Sequence, residues 1–167
     1  VAVDHAPSLV GLVVLLEPYY KSLGKRLVKS PKLYFTDTGL ALYLAGFQSD
    51  RSVLESSMLG ALWENHVVNQ WVRWRDWTAP AATLWFWRDR SAAEVDLVVE
   101  LNQKLYPIEI KWTERPTADD LRGIHRLSDM YGTDAVGGSF VACNTTVPFA
   151  LGAKTTAVPG WDVFELE

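Results

Sequence analysis

The chain has 167 residues, 49% hydrophobic and 22% charged, which suits one ordinary domain with a buried core. Its formal net charge of −4 argues against a general polyanion binder but leaves room for a local basic patch. One cysteine, Cys143, excludes an internal disulfide and a cysteine-rich metal site, and its apolar run SFVAC predicts a buried thiol.

No apolar run approaches the ~20 residues that span a bilayer. No signal peptide is visible, but Val1 is no natural start, so an upstream segment is expected and targeting is not readable from this sequence; a cytoplasmic protein without membrane contact is the expectation. Residues 9–16 are nearly all apolar, and Glu17-Pro18 stops them, because proline disfavours helix in the residue before it. The next run, KSLGKRLVKSPK, carries Lys21, Lys25, Arg26, Lys29 and Lys32 and no acid. Leu33-Tyr34-Phe35 reads as a short strand, so residues 9–35 suggest a β-hairpin with a cationic connection. Two readings of that connection stay open: a solvated loop, and a wing that touches nucleic-acid phosphates.

Asp37 or Thr38 caps a predicted helix over 39–45, ended by Gly46. A polar linker, QSDRS, occupies 48–52. A long helix is predicted over 53–75, with Leu59, Leu62, Trp63, Val67, Trp71 and Trp74 as its core stripe and Glu64 at the stripe's edge. Three strands follow, over 84–88, 94–101 and 105–112, joined by a turn at 89–93 and a tight one at 102–104 as an antiparallel meander. Thr117 and Asp120 resemble a capping box for a helix over 118–131. A strand over 139–143, reached through that helix, is expected to pair in parallel, and residues 158–164 offer one more. This order indicates an α/β fold, a central mixed sheet flanked by helices.

Within the third meander strand, alternation puts Ile108, Ile110 and Trp112 on one face and Glu109 and Lys111 on the other. Asp96, on the neighbouring strand, is expected within a side chain's reach of Glu109. Two carboxylates in a small space repel unless a cation joins them, and a hard ion such as Mg²⁺ takes such an oxygen site. Lysine beside it would orient a water or steady charge on a phosphate, and Glu64 could add a third carboxylate. The plain alternative is a surface ion pair between Glu109 and Lys111. His5, His66 and His125 lack metal-ligand spacing and read as structural.

Glu64, Asp96 and Glu109-x-Lys111 together resemble the PD-(D/E)XK nuclease superfamily pattern, with Val95 where that pattern has proline. The stretches KRLVKSPKLYFTDTGLALYL, GALWENHVVNQ, LWFWRDRSAAEVDLVVE and YPIEIKW resemble the C-terminal region of a widespread group of prokaryotic AAA-type ATPases. In that group a P-loop module precedes a winged-helix segment and a nuclease-like domain of unknown function. The resemblance implies the end of a winged helix over 1–46 and a restriction-endonuclease-like α/β core over 53–167. It implies Glu64, Asp96, Glu109 and Lys111 as catalytic residues, Asp96 and Glu109 as ligands of Mg²⁺ or Mn²⁺, and DNA as partner. Lys21, Lys25, Arg26, Lys29 and Lys32 would hold its phosphates. No G-x-x-x-x-G-K-[ST] occurs, so this chain is expected not to hydrolyse ATP by itself. Two further functions compete: a catalytically inactive module that binds DNA or protein and regulates the ATPase, and a purely structural or oligomerising domain.

Overall fold

The structure, a computed structural model, describes residues 11–20 and 30–161. Strand β1 (Val13–Leu16) pairs antiparallel with β2 (Lys32–Phe35), Leu15 opposite Leu33 and Leu16 opposite Lys32. The segment that joins them, with Lys21, Lys25, Arg26 and Lys29, lies outside the described residues apart from its ends, and so do His5 and residues 162–164 of the last expected strand. Helix α1 (Thr38–Leu44) begins where Asp37 Oδ1 accepts the Leu40 N–H at 2.9 Å.

The single helix expected over 53–75 is two helices. α2 (Asp50–Leu54) starts inside the expected polar linker, because Ser49 Oγ accepts the Ser52 N–H and caps it. The chain then breaks at Ser56, whose Oγ accepts the Met58 N–H at 3.0 Å, a local bond that competes with helix continuation. α3 (Leu59–Trp77) follows. Its apolar stripe is interrupted by two asparagines one turn apart, Asn65 and Asn69, both buried.

β3 (Thr83–Arg88), β4 (Glu94–Leu101) and β5 (Lys104–Lys111) form the expected antiparallel meander. Asn102 and Gln103 between β4 and β5 both hold positive φ, 51° and 62°, as a two-residue turn matched to strand twist requires. A 3-10 helix (Ala118–Leu121) leads into α4 (Arg122–Tyr131), and Asp120 Oδ2 accepts the Thr117 N–H at 2.7 Å as the capping pattern foretold. β6 (Ser139–Cys143) lies parallel to β5, and α4 is the crossover between them. β7 (Phe149–Ala150) is a two-residue strand the sequence does not announce. β8 (Thr155–Pro159) begins three residues earlier than expected, where Thr155, Ala157 and Val158 find burial against β6, and Pro159-Gly160 closes it.

The six strands run in the order β3-β4-β5-β6-β8-β7, a mixed sheet with helices on both faces. On one face Leu84, Phe86, Leu97, Val99, Ile108 and Ile110 pack with Trp63 and Val67 of α3, together with Leu16 and Tyr34 of the hairpin. Opposite them, Trp87, Val95, Val98, Val141 and Cys143 pack with Leu121, Ile124 and Leu127 on the α4 side. Cys143 is buried, as its apolar run implied. Gly123 permits this second layer: a Cβ there would lie 1.8 Å from the Glu94 carbonyl oxygen, so α4 touches β4 backbone to backbone. Among the described residues no helix is long and apolar enough to cross a membrane.

Candidate functional site

The site begins with a bulge. Trp85 pairs with Val98 and Trp87 with Val95, so Asp96 and Leu97 together stand opposite Phe86 alone. Leu97 drops into the α3-side core, and Asp96 is left where the regular β4–β5 register, which ends at Leu97 and Ile108, gives way. There the Asp96 carboxylate replaces a strand carbonyl: its Oδ2 accepts the Ile110 N–H at 2.9 Å. Burial raises the Asp96 pKa, and Glu64 adds to the rise, while Lys32, the Ile110 N–H and Lys111 oppose it.

Glu64 arrives from α3. Its Oε1 accepts from Lys32 Nζ at 2.8 Å and from the Tyr34 hydroxyl at 2.6 Å, both carried by β2. Lys32 therefore does not stand free in solvent. Its ammonium also contacts Glu94 Oε1, lies 3.5 Å from Asp96 Oδ1, and sits 5.6 Å from the Phe86 ring centre. Burial alone would depress the Lys32 pKa, but Glu64 and Asp96 by charge, and Glu64 and Glu94 by hydrogen bonds, hold it above the ordinary lysine range. Tyr34 is driven up as well, first by burial and then by Glu64. The hairpin is fixed there by the two asparagines of α3. Asn65 accepts the Phe35 N–H at 2.7 Å and donates to the Phe35 carbonyl at 3.1 Å, and Asn69 donates to the same carbonyl.

Glu109 and Lys111 form the second part. Because Ile108 and Ile110 face α3, alternation turns these two towards the α4 layer. Lys111 Nζ lies 2.8 Å from Glu109 Oε1, with the lysine side chain 40% exposed. Glu109 is only 8% exposed, and its Oε2 is buried with no hydrogen-bond partner. Burial, reinforced by the Asp96 charge and opposed by Lys111, pushes its carboxyl up to about 7. Lys111 is held above its ordinary value, where burial is outweighed by Glu109 and then Asp96. Asp96 thus belongs to both parts: it touches Lys32 on one side and repels Glu109 on the other.

The structure therefore brings Glu64 and Asp96 together around Lys32, and Glu109 together with Lys111, with Asp96 as the link. Of the cationic run, Lys32 points into the carboxylates, and Lys21, Lys25, Arg26 and Lys29 lie outside the described residues. Sequence reasoning missed Glu94, two residues before Asp96 on the same strand, and it read Tyr34 only as a strand residue. Asn65 and Asn69, polar at helical spacing within an apolar stripe, were the available signal for a tertiary anchor.

Whether the residues suit a divalent ion has a divided answer. Among the described residues no group of three or more His, Cys, Asp and Glu could hold a metal ion. Glu64 is engaged by Lys32 and Tyr34. What Asp96 and Glu109 offer is narrower: the Asp96 charge raises the Glu109 carboxyl, and Glu109 Oε2 is buried without a hydrogen-bond partner.

Comparison with known proteins follows this geometry. The family model described as "Domain of unknown function (DUF4143)" matches residues 59–163, and one described as "Domain of unknown function (DUF8612)" matches residues 8–51. The chain is similar to the uncharacterized protein Mb2031c of Mycobacterium bovis, 39% identical over 102 residues, 61% of this chain and 22% of that protein. The uncharacterized protein Rv2008c of Mycobacterium tuberculosis shows the same identity and coverage. The match thus spans about a fifth of the length of these curated relatives, 22%. No solved structure matches significantly.

Proposed function

This chain belongs to the family described as Domain of unknown function (DUF4143), and we propose that it is a nuclease-like, DNA-binding domain with a restriction-endonuclease-like core. Asp96 and Glu109 hold a Mg²⁺ or Mn²⁺ ion, Lys111 serves the reacting phosphate, and Glu64 adds a third carboxylate when it is free to do so. One observation carries this reading: the Asp96 charge adds to the rise of the Glu109 carboxyl, and Glu109 Oε2 is buried without a hydrogen-bond partner. Beyond Lys32 and Lys111, which already meet Asp96 and Glu109, a divalent ion would relieve the repulsion between the two carboxylates.

The ion's part is Lewis-acid help to phosphodiester hydrolysis. The remaining tasks fall to the chain. The Asp96 carboxylate, tied to the Ile110 N–H, is held in place by the backbone of the strand that carries Glu109 and Lys111. The Lys111 side chain, anchored at Glu109 and 40% exposed, has its remaining donors available to a phosphate oxygen. The basic run with Lys21, Lys25, Arg26 and Lys29 belongs to the end of a winged helix and meets the DNA backbone. In a longer protein the preceding module is an AAA-type ATPase, as the resemblance of residues 25–44, 60–70, 84–100 and 106–112 implies, and the work is cytoplasmic.

Nicking of supercoiled plasmid in Mg²⁺ or Mn²⁺ tests the catalytic part. Cutting is expected to disappear in Asp96→Ala and Lys111→Ala, and a purified chain that cuts with neither ion sinks it. The contact of Lys32 with three carboxylates favours a second reading, a catalytically silent module that binds DNA or protein and regulates the ATPase. It predicts salt-sensitive DNA affinity that weakens when Lys25, Arg26 and Lys29 are neutralised, without cutting.

A further inference from the structure

We propose that the outward face of the β1–β2 hairpin is a docking surface, and that its occupant is an amphipathic helix from elsewhere in the same, longer polypeptide. The inference rests on the reading that a further module shares this polypeptide, and it is independent of the carboxylates of the nuclease-like centre.

The pairing register sorts the hairpin into two faces. Opposite residues share a face, and neighbours along a strand alternate. Val14, Leu16, Lys32 and Tyr34 therefore point one way, and Val13, Leu15, Leu33 and Phe35 the other. The first face is accounted for: Leu16 and Tyr34 are 2% and 5% exposed within the main core, and Lys32 meets Glu64. The second face holds four apolar side chains and no charge, yet Leu15 and Leu33 are 42% and 54% exposed, and Val13 and Phe35 are only half-buried. An antiparallel pair that faces water on one side alternates apolar with polar, whereas a pair covered on both sides carries apolar residues on both. The hairpin follows the second pattern with one cover in place. The surplus is regional as well. Of the twelve large apolar side chains left exposed among the described residues, seven fall between Leu12 and Met58 and five between Trp77 and Trp161.

The size of the face selects its occupant. Two strands of four residues, about 5 Å apart and about 13 Å long, present a strip that one α-helix of about 10 Å diameter covers. Four side chains expose far less than the roughly 1,000 Å² that a specific association of free chains buries, so a second copy or a separate protein gains too little here. A helix in the same polypeptide escapes that limit, because the connection sets its effective concentration. The curated relatives have chain to supply one, since the match spans 22% of their length. With no charge on the strip, the helix meets it through an apolar stripe rather than through paired charges.

Thiol labelling of the full-length gene product and of the 167-residue chain decides the matter. The native Cys143 is buried, so the thiol introduced by Leu33→Cys is the reactive one. Its rate with a maleimide is divided by that of Thr146→Cys, an exposed position between β6 and β7. This ratio is expected to fall by about tenfold or more from the shorter chain to the full-length protein, because a docked face reacts only when it opens. An unchanged ratio overturns the inference while the reading of a further module stands. A gene product no longer than this chain overturns both. Protection that arises in the shorter chain and grows with its concentration assigns the face to a second copy and also overturns the inference. If Leu33→Cys does not fold, Leu15→Cys, directly across the hairpin, carries the same comparison.

Discussion

Glu109→Gln should remove most of the chain's loss of stability between pH 5 and pH 8. The Glu109 carboxyl titrates at about 7 in the folded chain against 4.5 in its ordinary state. Between those values the folded chain keeps a proton that the unfolded chain releases, so stability falls as pH rises and levels off above 7. Integration between pH 5 and pH 8 gives about 2.5 kcal/mol lost from this group alone. Gln cannot titrate. It leaves its own amide imperfectly paired where Oε2 has no partner, at a cost of about 1–3 kcal/mol, but that cost is the same at both pH values. The informative quantity is therefore the difference between pH 5 and pH 8, read from urea unfolding in EDTA so that no ion loads the site. Asp96, also raised, pulls the same way and keeps some slope in the variant. If Glu109→Gln retains the full wild-type slope, a carboxyl raised by burial and by the Asp96 charge is not what the site contains.

Two further substitutions test the frame around the site. Gly123→Ala should destabilise the chain by about 1–3 kcal/mol in urea, although alanine is the better helix former by about 1 kcal/mol, because its Cβ would meet the Glu94 carbonyl at 1.8 Å. An unchanged midpoint would mean that α4 does not rest on β4 in this way. Tyr34→Phe removes a 2.6 Å bond to a carboxylate and should cost about 1.5–3 kcal/mol by the same measurement, with a neutral result refuting the tie between hairpin and α3.

Much of the sheet was legible because its strands alternate cleanly between two packed faces. Ile108 and Ile110 point to α3, and Val141 and Cys143 to α4. The ExK pair was legible for the same reason, since a charged residue on each side of a buried isoleucine must point elsewhere. The helix break at residues 55–58 was not, because Ser56 is a tolerable helix residue until its hydroxyl takes a backbone N–H. The surroundings of Asp96 depend on a bulge, and a bulge leaves no mark in a strand whose residues still read as β-formers. Lys32 was hidden most completely. In KSPK it is one cation among several, and only the pairing of Lys32 with Leu16 and the grip of Asn65 on Phe35 aim it at Glu64.

The edge of β3 gives the chain a property that similarity alone conceals. Two backbone bonds, Tyr19 N–H to the Phe86 carbonyl at 2.7 Å and Phe86 N–H to the Glu17 carbonyl at 3.0 Å, make residues 17–19 a fragmentary seventh line of the large sheet. The matched regions 8–51 and 59–163 therefore meet along a hydrogen-bonded border, and the gap between them is no seam for dissection. A product trimmed to begin at residue 59 keeps Glu64, Glu94, Asp96 and Glu109 and discards Lys32 and Tyr34. It also bares a strand edge of the kind that recruits other chains. Such a trimmed product would be a less soluble and more acidic object than the domain from which it was cut.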